Sequence, residues 1–139
     1  MPQLTDDLKN KLVQAAIDTL PYSYSPYSNY AVSAALLTED NQIYNGINVE
    51  NRSYSMTICA ERAAMCSAVS AGKTQFKALA IVTEKGVFPC GACRQFISEF
   101  NPELPLIIAN ARGEILRELS LSTIFGEGQA SPPIEDLNL

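Results

Sequence analysis

Leu8, Leu12, Val13, Ala16, Ile17 and Leu20 recur three and four residues apart, the spacing that places apolar side chains on one face of a helix. Thr5 precedes this run as a capping hydroxyl, Asp6 and Asp7 follow at the positive end of the helix dipole, and Pro21 ends it. "PYSYSPYSNY" reads as an ordered loop. "YAVSAALLT" and "QIYNGINV" are β-like and separated by "EDN", which predicts a hairpin with Tyr30 as its first strand residue. After the loop "ENRSYSMT", the alanine-rich run from Ile58 to Ala71 predicts a helix closed by Gly72. "FKALAIVT" is a buried strand by its apolar, β-branched content. "EKGVFP" is a loop, and "CGACRQFISEF" a helix stopping near Asn101-Pro102. "LPLIIAN" and "EILREL" are two more strands, and "LSTIF" a last helical turn.

The element order is α-β-β-α-β-α-β-β-α. The two central β-α-β steps imply right-handed parallel crossovers, with helices covering the sheet. "ARG" between the last two strands is too short for a crossover, so that pair is expected to be antiparallel. The result is an α/β protein on a five-stranded mixed sheet. No internal repeat or second domain is visible, so residues 1–139 read as one domain.

Charge narrows the function. The net charge is −5, from 10 Lys and Arg against 15 Asp and Glu, and no basic cluster occurs. Binding a phosphate backbone needs such a cluster, so nucleic acid is excluded as a partner and a small ligand is favoured. Charged residues make up 18% of the chain, a thin supply that hints at surface covered by other subunits. "MPQLTDDLKN" lacks the regions of a signal peptide, and no apolar run reaches the roughly 20 residues that span a bilayer. A cytoplasmic protein away from the membrane is expected. In that reducing compartment, the four cysteines are core, metal-binding or catalytic residues rather than disulfides.

Histidine is absent, so a metal site would rest on sulfur. Cys59, in "TICAER", and Cys90 and Cys93, in "FPCGACRQF", all fall at predicted helix starts, where the dipole favours thiolates. Cys90 and Cys93 lie on one turn and can share an ion, with Cys59 as a third ligand. Three protein ligands leave a fourth position open, the pattern of catalytic zinc. Cys66 lies seven residues past Cys59, roughly 10 Å along a helix, too far to join them. It is expected to be a small buried hydrophobe.

Glu61 reads either as an ordinary acid in a helix's first turn or as a proton carrier at the open position. Its pairing with "PCGAC" favours the second. Three thiolates outweigh Zn²⁺, and Arg62 and Arg94 follow the ligand segments closely enough to offset the excess by hydrogen-bonding sulfur.

"SPYSNYAVSAALLTEDNQIYNGINVENRSYSMTICAERAAM" and "PCGACRQFISEF" closely resemble the small, homotetrameric cytidine deaminases, over most of the chain from Tyr24 to Leu116. The resemblance implies a three-layer αβα sandwich of the cytidine-deaminase type. It implies one zinc on Cys59, Cys90 and Cys93, and Glu61 shuttling protons as cytidine or deoxycytidine becomes uridine or deoxyuridine plus ammonia, a pyrimidine-salvage reaction. Asn48 and Glu50 match the pair that binds the ribose. Tyr30 stands where an aromatic lies near the ligand, and the Ala60 N–H would touch the base. "YSPYS" reads mainly as a rigid turn, and Tyr54 would sit near a neighbouring subunit's site.

Two positions depart from the family pattern. Ser33 replaces a usual glycine, and the C-terminal lid segment differs, with Phe125 as the candidate lid aromatic. Another cytosine nucleoside, such as blasticidin S, is the competing substrate. A thioredoxin-like reading of "CGAC" leaves Cys59 and Glu61 unexplained, and a closed structural zinc module lacks a fourth ligand.

Overall fold

A computed structural model of the chain describes residues 4–124; Phe125, the expected lid aromatic, lies outside the described residues. Helix α1 (Asp6–Thr19) starts as its capping signals require: Thr5 Oγ accepts the Leu8 amide at 3.2 Å. A 3₁₀ turn over Leu20–Tyr22, opened by Pro21, ends it. Strands β1 (Ser33–Thr38) and β2 (Ile43–Ile47) form the expected antiparallel hairpin. Helix α2 (Ala60–Ser70), strand β3 (Phe76–Thr83), helix α3 (Gly91–Phe100) and strands β4 (Pro105–Asn110) and β5 (Ile115–Ser120) follow. The last expected helical turn is a 3₁₀ turn over Leu121–Ile124.

Two boundaries differ from the sequence pattern. β1 begins at Ser33, so Tyr30 is an exposed loop residue rather than the first of a strand; the chain has just turned through Asn29 (φ 57°), and Asn48 Nδ2 donates to the Tyr30 carbonyl at 2.8 Å. α2 begins at Ala60 rather than Ile58, because Ile58 exchanges antiparallel backbone hydrogen bonds with Val49.

The sheet order is β2-β1-β3-β4-β5. β1 runs antiparallel to both its neighbours, β3 and β4 are parallel, and β4 and β5 are antiparallel. β2 and β3 therefore run the same way with β1 between them, so α2 crosses over one strand whereas α3 links adjacent strands. Gly113 (φ 89°) supplies the left-handed turn between β4 and β5.

Alternation along the strands divides the core into two layers. Leu12, Val13 and Ala16 of α1 cover Ala35, Leu37, Ala78, Ala80, Val82 and Ile107, a face rich in alanine that admits one helix closely. On the other face, Ala64, Met65 and Ala68 of α2 and Ile97 of α3 cover Ala34, Leu36, Leu79, Ile81 and Leu106. This is the three-layer arrangement, and β2 and β3 deliver the chain into α2 and α3 at one end of the sheet, where ligands of open α/β sheets bind.

Cys66 corrects an expectation: it is exposed, not buried. α2 buries Ala60, Glu61, Ala64, Met65 and Ala68. A turn of about 100° per residue carries Cys66, next to buried Met65, to the outer side. Ser33, the departure from the usual glycine, is fully buried and uses its hydroxyl, donating to the Ala16 carbonyl of α1 at 2.6 Å.

Gly46 fixes how closely α2 lies on the sheet. A Cβ there would sit 2.4 Å from both the Ala60 carbonyl oxygen and the Ala64 amide nitrogen, backbone atoms that cannot rotate away. Gly46→Ala must lift the first turns of α2, which carry Cys59 and Glu61. A loss of about 3 kcal/mol is expected, at the upper end for overpacked cores, read as a lowered denaturation midpoint with an unchanged m-value.

Candidate active site

Cys59 is the N-cap of α2 and Cys90 the N-cap of α3, with Cys93 in the first turn of the same helix. Two helix starts thus converge, and both dipoles favour negative charge on sulfur. The three Sγ atoms lie within 4.8 Å of one another, and those of Cys59 and Cys90 are 3.8 Å apart. Ligands placed tetrahedrally at about 2.3 Å from zinc are about 3.8 Å apart, the spacing of the Cys59 and Cys90 sulfurs, and Cys93 completes a group of three that can share one ion. Cys66 is outside the group.

Arg62 lies against the sulfur of Cys59. Its Nη2 donates to Cys59 Sγ at 3.5 Å and approaches the Thr57 carbonyl at 3.4 Å. Hydrogen bonding from the Cys93 thiol, reinforced by Arg62 and Cys90, draws the Cys59 thiol down to about 5. Cys93 is pushed the other way by its hydrogen bond to Cys59, by burial and by the neighbouring Glu61 carboxylate. Arg94 does not act as expected. Among the described residues, its Nε donates to the Pro89 carbonyl at 2.9 Å and its Nη1 to the Ile124 carbonyl at 2.8 Å. From α3 its side chain reaches back along the incoming loop, so it braces the residue before Cys90 rather than the sulfur.

Glu61 is 4% exposed, which excludes the solvated first-turn acid. Burial is the main cause that raises its carboxyl above the ordinary value, and negative charge at Cys59 adds to it. A buried carboxyl with a raised pKa beside a sulfur cluster is suited to carrying a proton. Ala60, one residue earlier, is buried, and its N–H is one of those a helix start leaves without an intrahelical acceptor.

Asn48 and Glu50 lie on an extended segment pinned on both sides. Tyr24 exchanges backbone hydrogen bonds with Asn48 and Glu50, and Val49 does so with Ile58. Strand alternation buries Asn48 and Glu50 together and exposes Val49 between them. Asn48 Oδ1 accepts from Val32 N at 3.1 Å and from the Ser23 hydroxyl. Glu50 accepts from the amides of Tyr27 and Ser28 and from the Ser28 hydroxyl. Sequence reasoning missed Ser23 and Ser28 as partners of this pair. More than 20 residues separate them, and Ser in a Pro/Tyr-rich loop signals only a turn. Tyr27 and Tyr54 stack edge to face at 6.1 Å between centroids, joining that loop to the one before α2.

Known proteins match this arrangement. The model of the cytidine and deoxycytidylate deaminase zinc-binding region matches residues 6–107. The chain belongs to this family. A cytidine deaminase of Sporosarcina psychrophila is 52% identical over 108 residues, covering 76% of this chain and 79% of that protein. The crystal structure of cytidine deaminase from Burkholderia pseudomallei superposes with a TM-score of 0.80 at 38% identity, covering 89% of this chain and 98% of that one. A blasticidin-S deaminase of Bacillus cereus is more distant, 30% identical over 108 residues, 70% of this chain and 76% of that protein. The deaminase zinc-binding region spans Cys59, Cys90 and Cys93, and one zinc per chain fits their sulfurs. No helix among the described residues is long and apolar enough to cross a membrane.

Proposed function

We propose that the protein is a zinc-dependent cytidine deaminase, converting cytidine or deoxycytidine and water to uridine or deoxyuridine and ammonia. The observation that carries this reading is Glu61, a buried carboxyl beside three sulfurs at two converging helix starts. Zinc held by Cys59, Cys90 and Cys93 supplies the Lewis acidity that makes water a nucleophile near neutral pH. Glu61 does the proton work: its carboxylate takes a proton from the attacking water and delivers it to N3 of the pyrimidine, then takes the proton of the new C4 hydroxyl and delivers it to the amino group, which departs as ammonia while the C4 carbonyl forms. Its raised pKa suits both directions of transfer.

The remaining residues bind and orient. The Ala60 N–H donates to the base, Asn48 and Glu50 hold sugar hydroxyls, and the exposed Tyr30 ring flanks the ligand. Arg62 offsets the charge of the thiolates, and Arg94 holds the Cys90 segment in place. The anionic Glu50 favours a nucleoside hydroxyl over a phosphate.

The reading extends to a single domain over residues 1–139 that works as a homotetramer in cytoplasmic pyrimidine salvage. Tyr54 and Met56, 65% and 66% exposed beside exposed Val49 and Ile58, support covering by other subunits. Light scattering should give a particle of four 15.1 kDa chains, and a monomer would refute that extension.

A substrate comparison tests the assignment. The zinc-loaded protein should show its highest kcat/KM on cytidine and deoxycytidine, with blasticidin S and cytidine monophosphate far slower. A higher value on blasticidin S would transfer the assignment to that substrate.

A further inference from the structure

The carboxylate of Glu50 is held by one short piece of loop. Oε1 accepts the amides of Tyr27 at 3.0 Å and Ser28 at 3.1 Å, and Oε2 accepts the Ser28 hydroxyl at 2.5 Å. The hydroxyl itself is oriented. Ser28 Oγ accepts the Tyr30 amide at 3.0 Å, an approach made possible by the left-handed turn at Asn29. With that side of Oγ occupied by a donor, its single proton is directed at Glu50. Glu50 is 8% exposed although Ser28 is exposed, so the loop covers most of the carboxylate.

Counting valences shows what the carboxylate can still bind. A carboxylate offers about four lone-pair positions. Among the described residues three are taken, two on Oε1 and one on Oε2, and the one left lies on Oε2. Asn48, on the same side of the extended segment, spends Oδ1 on Val32 and Ser23 and one Nδ2 hydrogen on the Tyr30 carbonyl, which among the described residues leaves one N–H. One acceptor beside one donor complements a hydroxyl group. The donors also hold the Glu50 carboxyl below its ordinary value, the Ser28 hydroxyl most of all, so the acceptor is an anion near neutral pH.

We propose that Ser28 is a positioning residue for sugar recognition: its hydroxyl fixes Oε2 of Glu50 so that the remaining lone pair meets a ribose hydroxyl. This rests on the reading that Glu50 binds the sugar. The role is separable from folding. Without the Ser28 hydroxyl, the Tyr27 and Ser28 amides still hold Oε1, and the backbone bonds of Tyr24 to Asn48 and Glu50 still anchor the loop. What is lost is the orientation of one oxygen and the acceptor of the Tyr30 amide, which faces solvent in an exposed loop.

The experiment compares cytidine with 2′,3′-dideoxycytidine, which lacks the sugar hydroxyls, on the zinc-loaded enzyme. A hydrogen bond to a charged group accounts for about a factor of 10 in binding. Ser28→Ala should raise KM for cytidine by about 10-fold and leave kcat within about 2-fold. It should change neither constant for dideoxycytidine by more than about 2-fold, and Ser28→Thr, which keeps the hydroxyl, should restore the cytidine KM. Zinc content and thermal midpoint should match the parent. An unchanged cytidine KM in Ser28→Ala, or an equal loss on both substrates, overturns the proposal. Glu50→Gln separates the two levels of the argument. It should weaken cytidine selectively; if it treats both substrates alike, the sugar reading of Glu50 falls, and the role of Ser28 with it.

Discussion

Replacing Glu61 by Gln lowers kcat on cytidine by about 10²- to 10⁴-fold, the range in which general acid–base catalysis contributes, equivalent to about 3–5 kcal/mol of barrier. Glutamine fills the same space and keeps hydrogen-bonding atoms, but it cannot carry a proton from water to the base. Glu61 is buried with its carboxyl raised by burial, so the neutral side chain relieves a desolvation cost. The variant should therefore fold at least as stably as the parent. It should bind one zinc, because the three sulfurs are untouched, and KM should change far less than kcat. Full turnover in Glu61→Gln would remove Glu61 from the mechanism. A loss that accompanied loss of zinc would make its role structural.

Cys90→Ala removes zinc. An outer partner that merely orients a ligand costs about 10- to 100-fold in affinity when mutated, so deleting one of three thiolates must cost more than about 100-fold. Cys90 caps α3 and is exposed, so its replacement leaves no cavity in the core. The damage should concentrate at the metal: chelator competition should strip the variant at concentrations the parent resists, and activity should vanish with the ion. Cys66→Ala is the matched control. Cys66 is exposed and stands apart from the sulfur group, so that variant should keep one zinc per chain. Equal zinc content in the parent and in Cys90→Ala would contradict the ligand set. Zinc loss in Cys66→Ala would point to a closed structural site.

Much of this was legible along the chain, and the exceptions share physical causes. Thr5 with two acids gave α1 its start, and alternation across "EDN" gave the hairpin, because both signals are local. Cysteines at two helix starts were readable as one site because helix-start chemistry does not depend on strand order. The strand order itself was hidden: alternation assigns faces, not neighbours, so nothing local says that β1 lies between β2 and β3. Cys66 was misread because "ICAERAAMCSAVSA" is small and apolar on every side, which leaves the phase of the helix undefined. Arg94 was misread because a long side chain reaches several turns' worth of partners, and adjacency to Cys93 does not select among them. The loop serines were invisible as partners of Asn48 and Glu50 because only tertiary structure brings residues 23–30 beside them.

The central claim is that this chain hydrolyses the exocyclic amine of cytidine using zinc on three sulfurs and a proton carried by Glu61. The most direct test is ammonia release from cytidine by the purified, zinc-loaded protein, with a zinc-stripped sample and Glu61→Gln run alongside. The account predicts one ammonia per uridine formed, no turnover in the stripped sample until zinc is restored, and almost none in the variant. A folded, zinc-loaded protein that releases no ammonia from cytidine would contradict it.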